Sequence, residues 1–305
     1  MVLDLTVIIL TYNEGMHLER AINSVKSFAR NIYIIDSGSN DETLEIAKNH
    51  NAQIFQNEFI NQAKQFQWAI DNTPIVSEWV MRLDADEIIE NDLATELINR
   101  IPNLDSDVSG INLDRKHIFM GKWVRYGGRY PLTMLRIWRN GKAKVEDRWM
   151  DEHIIILEGQ TIGIKGGFSD HNLNNLSYFT EKHNKYATRE AVDVILKKIS
   201  LDNEESELNS NNSSLFTSFK RWVKENVYNR LPFGIGPFFY FIFRYIFQLG
   251  ILDGKSGFVY HVLQGYWYRL LVESKVYEFE NSLDKFDSME EKLKELSLLS
   301  GYKLG

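Results

Sequence analysis

The first hundred residues alternate short apolar runs with amphipathic segments, and this alternation restricts the fold more than any other feature. The apolar runs predict buried strands, and the segments between them have the spacing of amphipathic helices. The predicted strands are Leu5–Leu10, Asn31–Ile35, Gln53–Phe55 and Glu78–Leu83, and the predicted helices are Glu14–Phe28, Asp41–Asn49 and Asn61–Ile70. This order predicts an α/β fold with a doubly wound, mostly parallel sheet, whose site lies at the carboxyl ends of the strands.

The rest of the chain first extends this pattern and then leaves it. Further strands are predicted at Ile111–Phe119, Met134–Trp138 and Ile154–Leu157, which makes the sheet mixed, and a long helix is predicted at Leu176–Ile199. Residues 200–214 are polar and acidic, which is typical of a linker or loop. We therefore expect a catalytic α/β domain at 1–199, a linker at 200–214, and a helical, aromatic-rich extension at 215–305.

Composition excludes several classes of protein. The 305 residues include 35 Lys and Arg against 42 Asp and Glu, a formal net charge of −7 that argues against general nucleic-acid binding. The absence of Cys excludes disulfides, thiolate catalysis and zinc–thiolate sites, and it suits a reducing compartment. The apolar run at the N-terminus is too short for a signal peptide, and no stretch is a clean transmembrane helix of ~20 apolar residues. We expect a cytoplasmic location.

Three carboxylates follow the fourth predicted strand within four residues. Asp84, Asp86 and Glu87 would repel one another, so a bound cation is the natural compensation. Oxygen ligands of this kind favour Mg²⁺ or Mn²⁺, and such an ion can bridge a diphosphate. The alternative is an acidic helix N-terminus that continues through Glu90 and Asp92, which the helix dipole would favour.

Polar residues also follow the first two predicted strands. The first strand runs into Thr11-Tyr12-Asn13-Glu14, and the second runs into Asp36-Ser37-Gly38-Ser39-Asn40-Asp41. Because parallel strands have their carboxyl ends at one edge of a sheet, both segments open beside Asp84 and Asp86. Small polar residues there can hold a nucleotide base and ribose, whereas the alternative for Asn13 and Ser39 is a helix N-cap.

Together these segments resemble glycosyltransferase family two, which has the GT-A fold. The matching segments are Val7–Glu14, Ile35–Asp41, Leu83–Glu87, Asn61–Gln65, Met150–His153 and Lys182–Ala187. The fuller pattern is similar to the bacterial branch that contains lipopolysaccharide-core β-1,4-glucosyltransferases. The resemblance covers residues 3–190 well, and it is specific for family and fold rather than for the sugar or the acceptor.

The resemblance implies roles for the residues of the three strand ends. Asp86 would bind the metal directly, and Asp84 would help to hold ribose and metal. Nucleotide-binding positions are implied at Thr11, Tyr12, Asn13, Glu14, Asp36, Ser37 and Lys64. Many members carry a second acid, which contacts the base, where this chain has Ser37, so the uridine preference stays open. For Lys64, the alternative is a helix lysine that faces solvent.

Inverting glycosyl transfer needs a base that deprotonates the acceptor hydroxyl. By similarity that base is Glu152, with Asp151 as the alternative, and a salt bridge to Arg148 or Arg139 is the structural interpretation. His171, or His153, could complete the metal shell or contact phosphate, although a lone histidine is more often structural.

The aromatic C-terminal region predicts contact with a membrane surface. Basic residues come first, and an aromatic run at Pro232–Leu252 follows. That basic cluster consists of Lys220, Arg221, Lys224 and Arg230.

A helix at Phe238–Leu249 would align Tyr240, Arg244 and Gln248 as a polar stripe. We expect residues 219–272 to dock on the inner face of the cytoplasmic membrane without spanning it, since Arg244 makes a full span costly. The alternative is that these aromatics are buried against protein.

The expected function is that of a metal-dependent inverting glycosyltransferase. It would use Mn²⁺ or Mg²⁺ and move a sugar from a nucleotide diphosphate sugar, taken to be a UDP-sugar, onto a lipid-linked saccharide of lipopolysaccharide or capsule type. Two alternatives stay open. One is an inactive, membrane-docked module that binds saccharide or nucleotide sugar, and the other is a sugar nucleotidyltransferase. The second alternative is disfavoured because no Gly-rich, basic phosphate loop follows the first strand.

Overall fold

A computed structural model describes residues 1–146, 153–204 and 232–304. The chain forms two compact units, Met1–Leu173 and Asn174–Gly305. The boundary therefore falls ahead of the long helix, whereas the sequence placed that helix in the catalytic domain.

The described part of the first unit contains eleven strands and four α-helices. The strands are β1 (Leu3–Thr11), β2 (Ala29–Asp36), β3 (Gln53–Gln56), β4 (Trp79–Arg82), β5 (Glu87–Ile89), β6 (Val108–Phe119), β7 (Lys122–Val124), β8 (Leu132–Arg139), β9 (Ala143–Val145), β10 (Ile154–Ile156) and β11 (Gln160–Asp170). The helices are α1 (Leu18–Val25), α2 (Thr43–Asn49), α3 (Gln62–Asn72) and α4 (Asn91–Arg100), with a 3₁₀ turn at Ile101–Asn103.

The main sheet has the order β3-β2-β1-β4-β8-β6-β11-β5, and β7 pairs with β6. Strands β3, β2, β1 and β4 are parallel, as are β6 and β11, whereas β8, β5 and β7 pair antiparallel to their neighbours. The predicted α/β mixed sheet is confirmed, and its parallel character is strongest in the first half. These strand directions place the carboxyl ends of β1, β2, β4, β6 and β11 at one edge.

Both faces of this sheet are covered. Helices α1, α2 and α4 pack on one face, and α3 packs on the other together with the two-stranded β9–β10 hairpin. On α1, Leu18, Ile22 and Val25 are fully buried, as the spacing of the sequence predicts. Burial of each such side chain contributes about 1.5–3 kcal/mol, which anchors the loop between β1 and α1 at the sheet edge.

The second unit is helical in its described residues. Its elements are α5 (Leu176–Glu204), α6 (Ile235–Ile242), a π-helical turn (Phe243–Phe247), a 3₁₀ turn (Gly250–Asp253), α7 (Gly254–Tyr260), a second π-helical segment (His261–Trp267), α8 (Tyr268–Leu283) and α9 (Met289–Ser300). Helices α5, α8 and α9 share a core built on Ala191, Ile195, Phe279 and Leu296. Because α5 packs against these later helices, it belongs to the second unit.

Two sequence predictions for this unit need correction. The linker was expected to begin at residue 200, but α5 continues to Glu204, since the segment after Ile199 contains no helix-breaking Gly or Pro. The rest of the predicted linker and the basic cluster from Lys220 to Arg230 lie outside the described residues. The helix expected at Phe238–Leu249 is instead α6 followed by the π-helical turn.

The three residues of the predicted polar stripe differ in exposure, because Tyr240 and Gln248 are exposed and Arg244 is buried. Arg244 is only 5% exposed and lies over the Tyr240 ring at 5.5 Å, whereas Phe239, Phe243 and Phe247 are exposed. Among the described helices none is by itself long and apolar enough to cross a membrane. The bent pair Ile235–Phe247 and Gly250–Leu283, with 73° between its members, meets the length and hydropathy requirement only when the two are taken together.

Candidate active site

The loop after β1 is joined to the loop after β2 by reciprocal hydrogen bonds. Asn13 has a φ of 56°, a conformation that Asn tolerates better than most residues. Its N–H donates to Ser39 Oγ at 2.9 Å, and its Oδ1 accepts from the Asn40 N–H at 2.9 Å. The N-cap positions of α1 and α2 are His17 and Glu42. Asn13 and Ser39 therefore connect the two loops, and the alternative in which they cap helices is not what the structure has.

Asp36 is fully buried beneath these two loops. Its Oδ1 accepts hydrogen bonds from Thr11 Oγ1 at 2.9 Å and from Ser39 Oγ at 2.5 Å, and its Oδ2 accepts from the Gly38 and Ser39 N–H groups, each at 2.9 Å. All four bonds lie within the predicted nucleotide-binding segments. Asp36 and Thr11 therefore hold the shape of the loops.

The first loop presents two further predicted residues. The Tyr12 side chain is exposed. The Glu14 N–H donates to Thr43 Oγ1 at 2.8 Å, and its carboxylate is 2.7 Å from His17 Nδ1. Tyr12 therefore presents an exposed aromatic ring on this loop.

Ser37 and Lys64 have different environments. Ser37 Oγ accepts a hydrogen bond from Gln65 Nε2 at 3.0 Å, and Gln65 is buried. Lys64 is exposed on the first turn of α3, which the Asn61 side chain caps by accepting from the Lys64 N–H at 2.8 Å. Gln65, which sequence reasoning missed, is the α3 residue that reaches the loop after β2. The signal was a polar residue on the apolar face of α3, between Ala63 and Phe66.

Asp84 is held by two arginines. Arg82 Nε lies 3.2 Å from its Oδ1, and an Arg136 guanidinium nitrogen lies 3.3 Å from its Oδ2. Burial opposes ionisation of Asp84, but the charges of Arg82 and Arg136 outweigh it and hold the pKa of this carboxyl well below its usual range. Arg136 also contacts Glu87 at 2.5 Å, and burial raises the pKa of Glu87. Sequence reasoning missed Arg136, whose signal was a cation inside an otherwise apolar strand.

Asp86 is brought beside His171 by the pairing of β5 with β11. In this antiparallel pair Glu87 lies opposite Asp170, so the residues just beyond each strand end are adjacent. The His171 N–H donates to the Asp86 carbonyl at 2.9 Å, and Asn172 Nδ2 donates to Asp86 Oδ2 at 2.9 Å. Because Glu87–Ile89 is a strand, Asp84, Asp86 and Glu87 are not part of a helix N-terminus, whereas Glu90 is the N-cap of α4 and Asp92 lies in its first turn.

Arg20, from α1, joins this group. One guanidinium nitrogen donates to the His171 carbonyl at 2.8 Å, and the other lies 3.4 Å from His171 Nδ1. Burial and the neighbouring Arg20 charge lower the pKa of His171, so its imidazole is neutral at pH 7. Sequence reasoning missed Arg20 and Asn172. Asn172 follows His171 directly in the chain, whereas nothing local marks Arg20, 151 residues away from its partner.

The donor chemistry of Asp86 and His171 suits a divalent cation. Across residues 1–146, 153–204 and 232–304, no group of three His, Asp or Glu side chains could by itself hold a metal ion. One carboxylate and one neutral imidazole fit Mn²⁺ or Mg²⁺ when substrate phosphates and water supply the other ligands. Asp84 is paired with two arginines, whereas Asp86 accepts a hydrogen bond from an amide and interacts electrostatically with Arg20 alone, so Asp86 and His171 fit the ion better than Asp84 does.

The candidate bases Asp151 and Glu152 lie outside the described residues. His153 is exposed, and its Nδ1 lies 3.3 Å from the Glu146 carboxylate. Arg139 is paired with Glu78. His153 therefore has a structural partner in Glu146.

Comparison with known proteins adds a family and several relatives. Residues 6–165, just over half of the chain, match the family described as Glycosyl transferase family 2. Uncharacterised glycosyltransferases of Rickettsia prowazekii and Rickettsia bellii are each 35% identical over 89 residues, which cover 29% of this chain and 30% of each relative. The alignment thus spans less than a third of the length of these relatives.

The solved structures that resemble the chain include glucosyl-3-phosphoglycerate synthase from Mycobacterium tuberculosis. Its complex with Mn²⁺ and UDP-glucose has a TM-score of 0.40 at 14% identity, over 57% of this chain and 73% of that chain. Its complex with Mg²⁺ and UDP has a TM-score of 0.30 at 16% identity, over 37% and 43% of the two chains.

Proposed function

Because the chain belongs to glycosyl transferase family 2, we propose that it transfers a sugar from a nucleotide diphosphate sugar to a saccharide acceptor. The observation that carries the proposal is the convergence of two features at one sheet edge. The linked loops after β1 and β2 form the first, and the Asp86–His171 pair forms the second. The loops suit a nucleoside, and the pair suits a diphosphate with its counterion.

Each part of the site has a proposed task. Tyr12 stacks on the base, and Asp36 and Thr11 keep the loop that carries Tyr12 in place. Arg82 and Arg136 hold the orientation of Asp84. The part of its carboxylate that stays exposed accepts a hydrogen bond from a ribose hydroxyl. Asp86 and His171 would hold Mn²⁺ or Mg²⁺, and the ion would supply positive charge to the departing diphosphate. More specifically, we propose that the donor is a UDP-sugar.

The proposed base is Glu152, with Asp151 as the alternative. We expect Glu152→Gln to keep donor affinity and to lose transfer by ~10²–10⁴-fold, the usual contribution of a positioned base. Isothermal titration with UDP and a transfer assay measure the two quantities separately. An active Glu152→Gln protein beside an inactive Asp151→Asn protein would reverse the ranking, and two active variants would place the base elsewhere.

A screen for donor hydrolysis tests the proposed function. Purified protein is incubated with a panel of nucleotide sugars and Mn²⁺ or Mg²⁺, and released nucleotide is measured. Release from one donor names the substrate. Binding of a donor without release from any of them would favour an inactive binding module.

We further propose that the acceptor is a lipid-linked saccharide of lipopolysaccharide or capsule type, used at the inner face of the cytoplasmic membrane. The support comes from the second unit, between Ile235 and Phe258. Nine large apolar side chains there are at least 45% exposed: Phe238, Phe239, Phe243, Ile246, Phe247, Leu249, Ile251, Leu252 and Phe258.

The charges of this apolar surface suit a lipid headgroup better than a protein partner. The Asp253 side chain is 4% exposed, and Arg244 is 5% exposed as a whole residue. Among the charged residues of 232–260, Lys255 alone is exposed, and it is a cation. The chain as a whole has a formal charge of −7. Protein interfaces usually have a polar rim with regular hydrogen bonds, whereas an anionic bilayer needs apolar side chains flanked by cations.

A further inference from the structure

The cations of the first unit are concentrated in one stretch of sequence. Residues 115–145 contain five Arg and four Lys and no Asp or Glu, in a chain whose formal net charge is −7. A local excess of this size attracts anions to the surface that carries it.

Several of these cations serve the fold. Arg115 and Arg136 pair with the acids of the Asp84–Glu87 cluster or with Asp170, and Lys116 pairs with Glu90 at 2.8 Å. Arg139 and Lys142 pair with Glu78 and Glu158. Lys122, Arg125 and Arg129 lie on β7 and on the loop that leads from β7 to β8. Of these, Lys122 and Arg125 are exposed.

Strand register places this hairpin, residues 116–130, beside the candidate active site. His117 of β6 lies opposite Asp170 of β11, and its Nδ1 is 3.1 Å from the Asp170 carboxylate. His171, the neighbour of Asp86, follows immediately. Beyond His117 the chain continues to Phe119, turns, and returns as β7. The hairpin therefore extends from the same sheet edge at which Asp86 and His171 lie.

Aromatic rings are interleaved with the cations of the hairpin. The Trp123 ring has Lys116 Nζ at 5.3 Å and the Arg125 guanidinium at 5.2 Å from its centroid, and Tyr130 meets it edge-on at 4.9 Å. Arg125 also lies 5.9 Å from the Tyr126 ring. A ring face can pack against the C–H face of a sugar, while guanidinium and ammonium groups donate charge-assisted hydrogen bonds to phosphate or carboxylate.

We propose that the 116–130 hairpin binds the acceptor, and that this acceptor is an anionic saccharide carrying a phosphate or a carboxylate near the hydroxyl that is glycosylated. The proposal rests on the glycosyltransferase function proposed above and specifies the substrate class of the same site. Trp123 packs against the sugar ring, and Lys122 and Arg125 bind the anionic group. The donor diphosphate belongs instead to Asp86 and His171.

Binding measurements test this without relying on transfer. Isothermal titration uses glucose 6-phosphate and glucuronate as probes, glucose and inorganic phosphate as comparisons, and UDP with Mn²⁺ as a separate titration. The test variant is Lys122→Gln/Arg125→Gln. The control is Lys144→Gln, which removes an exposed lysine that also belongs to residues 115–145. Lys144 lies on β9, which follows the end of β8 opposite to the hairpin.

We expect wild-type protein to bind glucose 6-phosphate or glucuronate more tightly than either glucose or phosphate. The double variant should weaken this binding about tenfold to a hundredfold, the contribution of one or two charge-assisted hydrogen bonds, and leave UDP affinity unchanged. The Lys144→Gln protein should bind both charged sugars as tightly as wild type. Trp123→Leu should weaken the binding of both charged sugars but not the binding of inorganic phosphate.

Three results would overturn the proposal. Equal affinity for glucose and glucose 6-phosphate would show that binding does not need an anionic group. Loss of UDP affinity in the double variant would assign the cations to the donor. Loss of binding to anionic vesicles, with sugar binding unchanged, would assign the hairpin to a membrane surface. A protein that hydrolyses no donor but shows the expected sugar binding would refute the proposed function and still support this anion site.

Discussion

Asp84 and Asp86 stand one residue apart, but their surroundings differ. Asp84 makes ion pairs with two guanidinium groups, whereas the Asp86 carboxylate accepts a hydrogen bond from the Asn172 amide and interacts electrostatically with one guanidinium, that of Arg20. A carboxylate paired with arginines is already compensated, so a cation gains less from it. This contrast makes Asp86 the ligand to test.

We predict that Asp86→Asn abolishes the increase in UDP affinity that Mn²⁺ produces and leaves the fold intact. The amide keeps the size of the side chain but loses the charge that a hard cation requires. Titration of UDP with and without Mn²⁺ measures the effect, and circular dichroism reports the fold. Asp71→Asn, on the exposed face of α3, is the matched control. Unchanged metal-dependent affinity in the Asp86→Asn protein would exclude it as a ligand.

Asp41 provides a residue-level prediction about pH. Partial burial opposes its ionisation, but hydrogen bonds that it accepts from Thr43 and from the Gly15 N–H outweigh burial and lower its pKa. A carboxyl with a lowered folded-state pKa stabilises the fold above its unfolded pKa of about 3.9, and this stabilisation is lost as pH falls through the folded-state pKa.

Asp41→Asn should therefore make the free energy of unfolding less dependent on pH below about 4 and leave the dependence above pH 6 unaltered. Urea unfolding at a series of pH values measures this slope. The effect is small because the carboxylate is largely exposed. Identical slopes for variant and wild type in the acid range would show that these hydrogen bonds do not favour the ionised form.

At the level of elements, β11 determines whether the site assembles. Its end places His171 beside Asp86, and its register shifts between Ile164 and Phe168. Gly166 lies in this irregular part with a φ of 149°, and a Cβ there would be 2.6 Å from Leu93 Cα on α4. Strand and helix can approach this closely only because position 166 has no side chain.

We predict that Gly166→Ala destabilises the first unit by about 1–3 kcal/mol, through backbone strain and overpacking against α4. Gly163→Ala on the same strand is the control, because nothing lies within 4 Å of its Cβ position. Chemical denaturation measures both. Equal stability of the two variants would mean that α4 moves away from β11 at little cost.

At the scale of the whole molecule, the apolar surface between Ile235 and Phe258 predicts membrane attachment. We expect flotation with anionic vesicles that weakens as salt rises and weakens further in Phe239→Glu/Phe243→Glu, since an acid would be buried in the headgroup boundary. Leu298→Glu on α9 is the control, because Leu298 is 77% exposed but lies outside this surface.

Two results would contradict attachment. One is a wild-type protein that stays monodisperse and unbound without detergent. The other is a detergent-free dimer that the Phe239→Glu/Phe243→Glu change dissociates, which would assign the surface to a second copy of the chain.

The early strands and helices were predictable because each carries its own periodic signal. The order strand–helix–strand and the burial of Leu18, Ile22 and Val25 follow from that pattern. Strands β5 and β11 were not predicted. β5 has three residues, and β11 contains three glycines and Lys165, so neither has a clear apolar alternation. Their pairing depends on partners distant in the chain.

The sequence by itself determined the α/β class, the family resemblance and the edge at which polar strand ends collect, because these follow from local periodicity and contiguous motifs. Only the tertiary structure decided which residues meet there. Arg136 meets Asp84 across 52 residues, Asn172 meets Asp86 across 86, and Arg20 meets His171 across 151. No local pattern encodes such a contact, since it arises from strand pairing and from the burial of charges that must find partners.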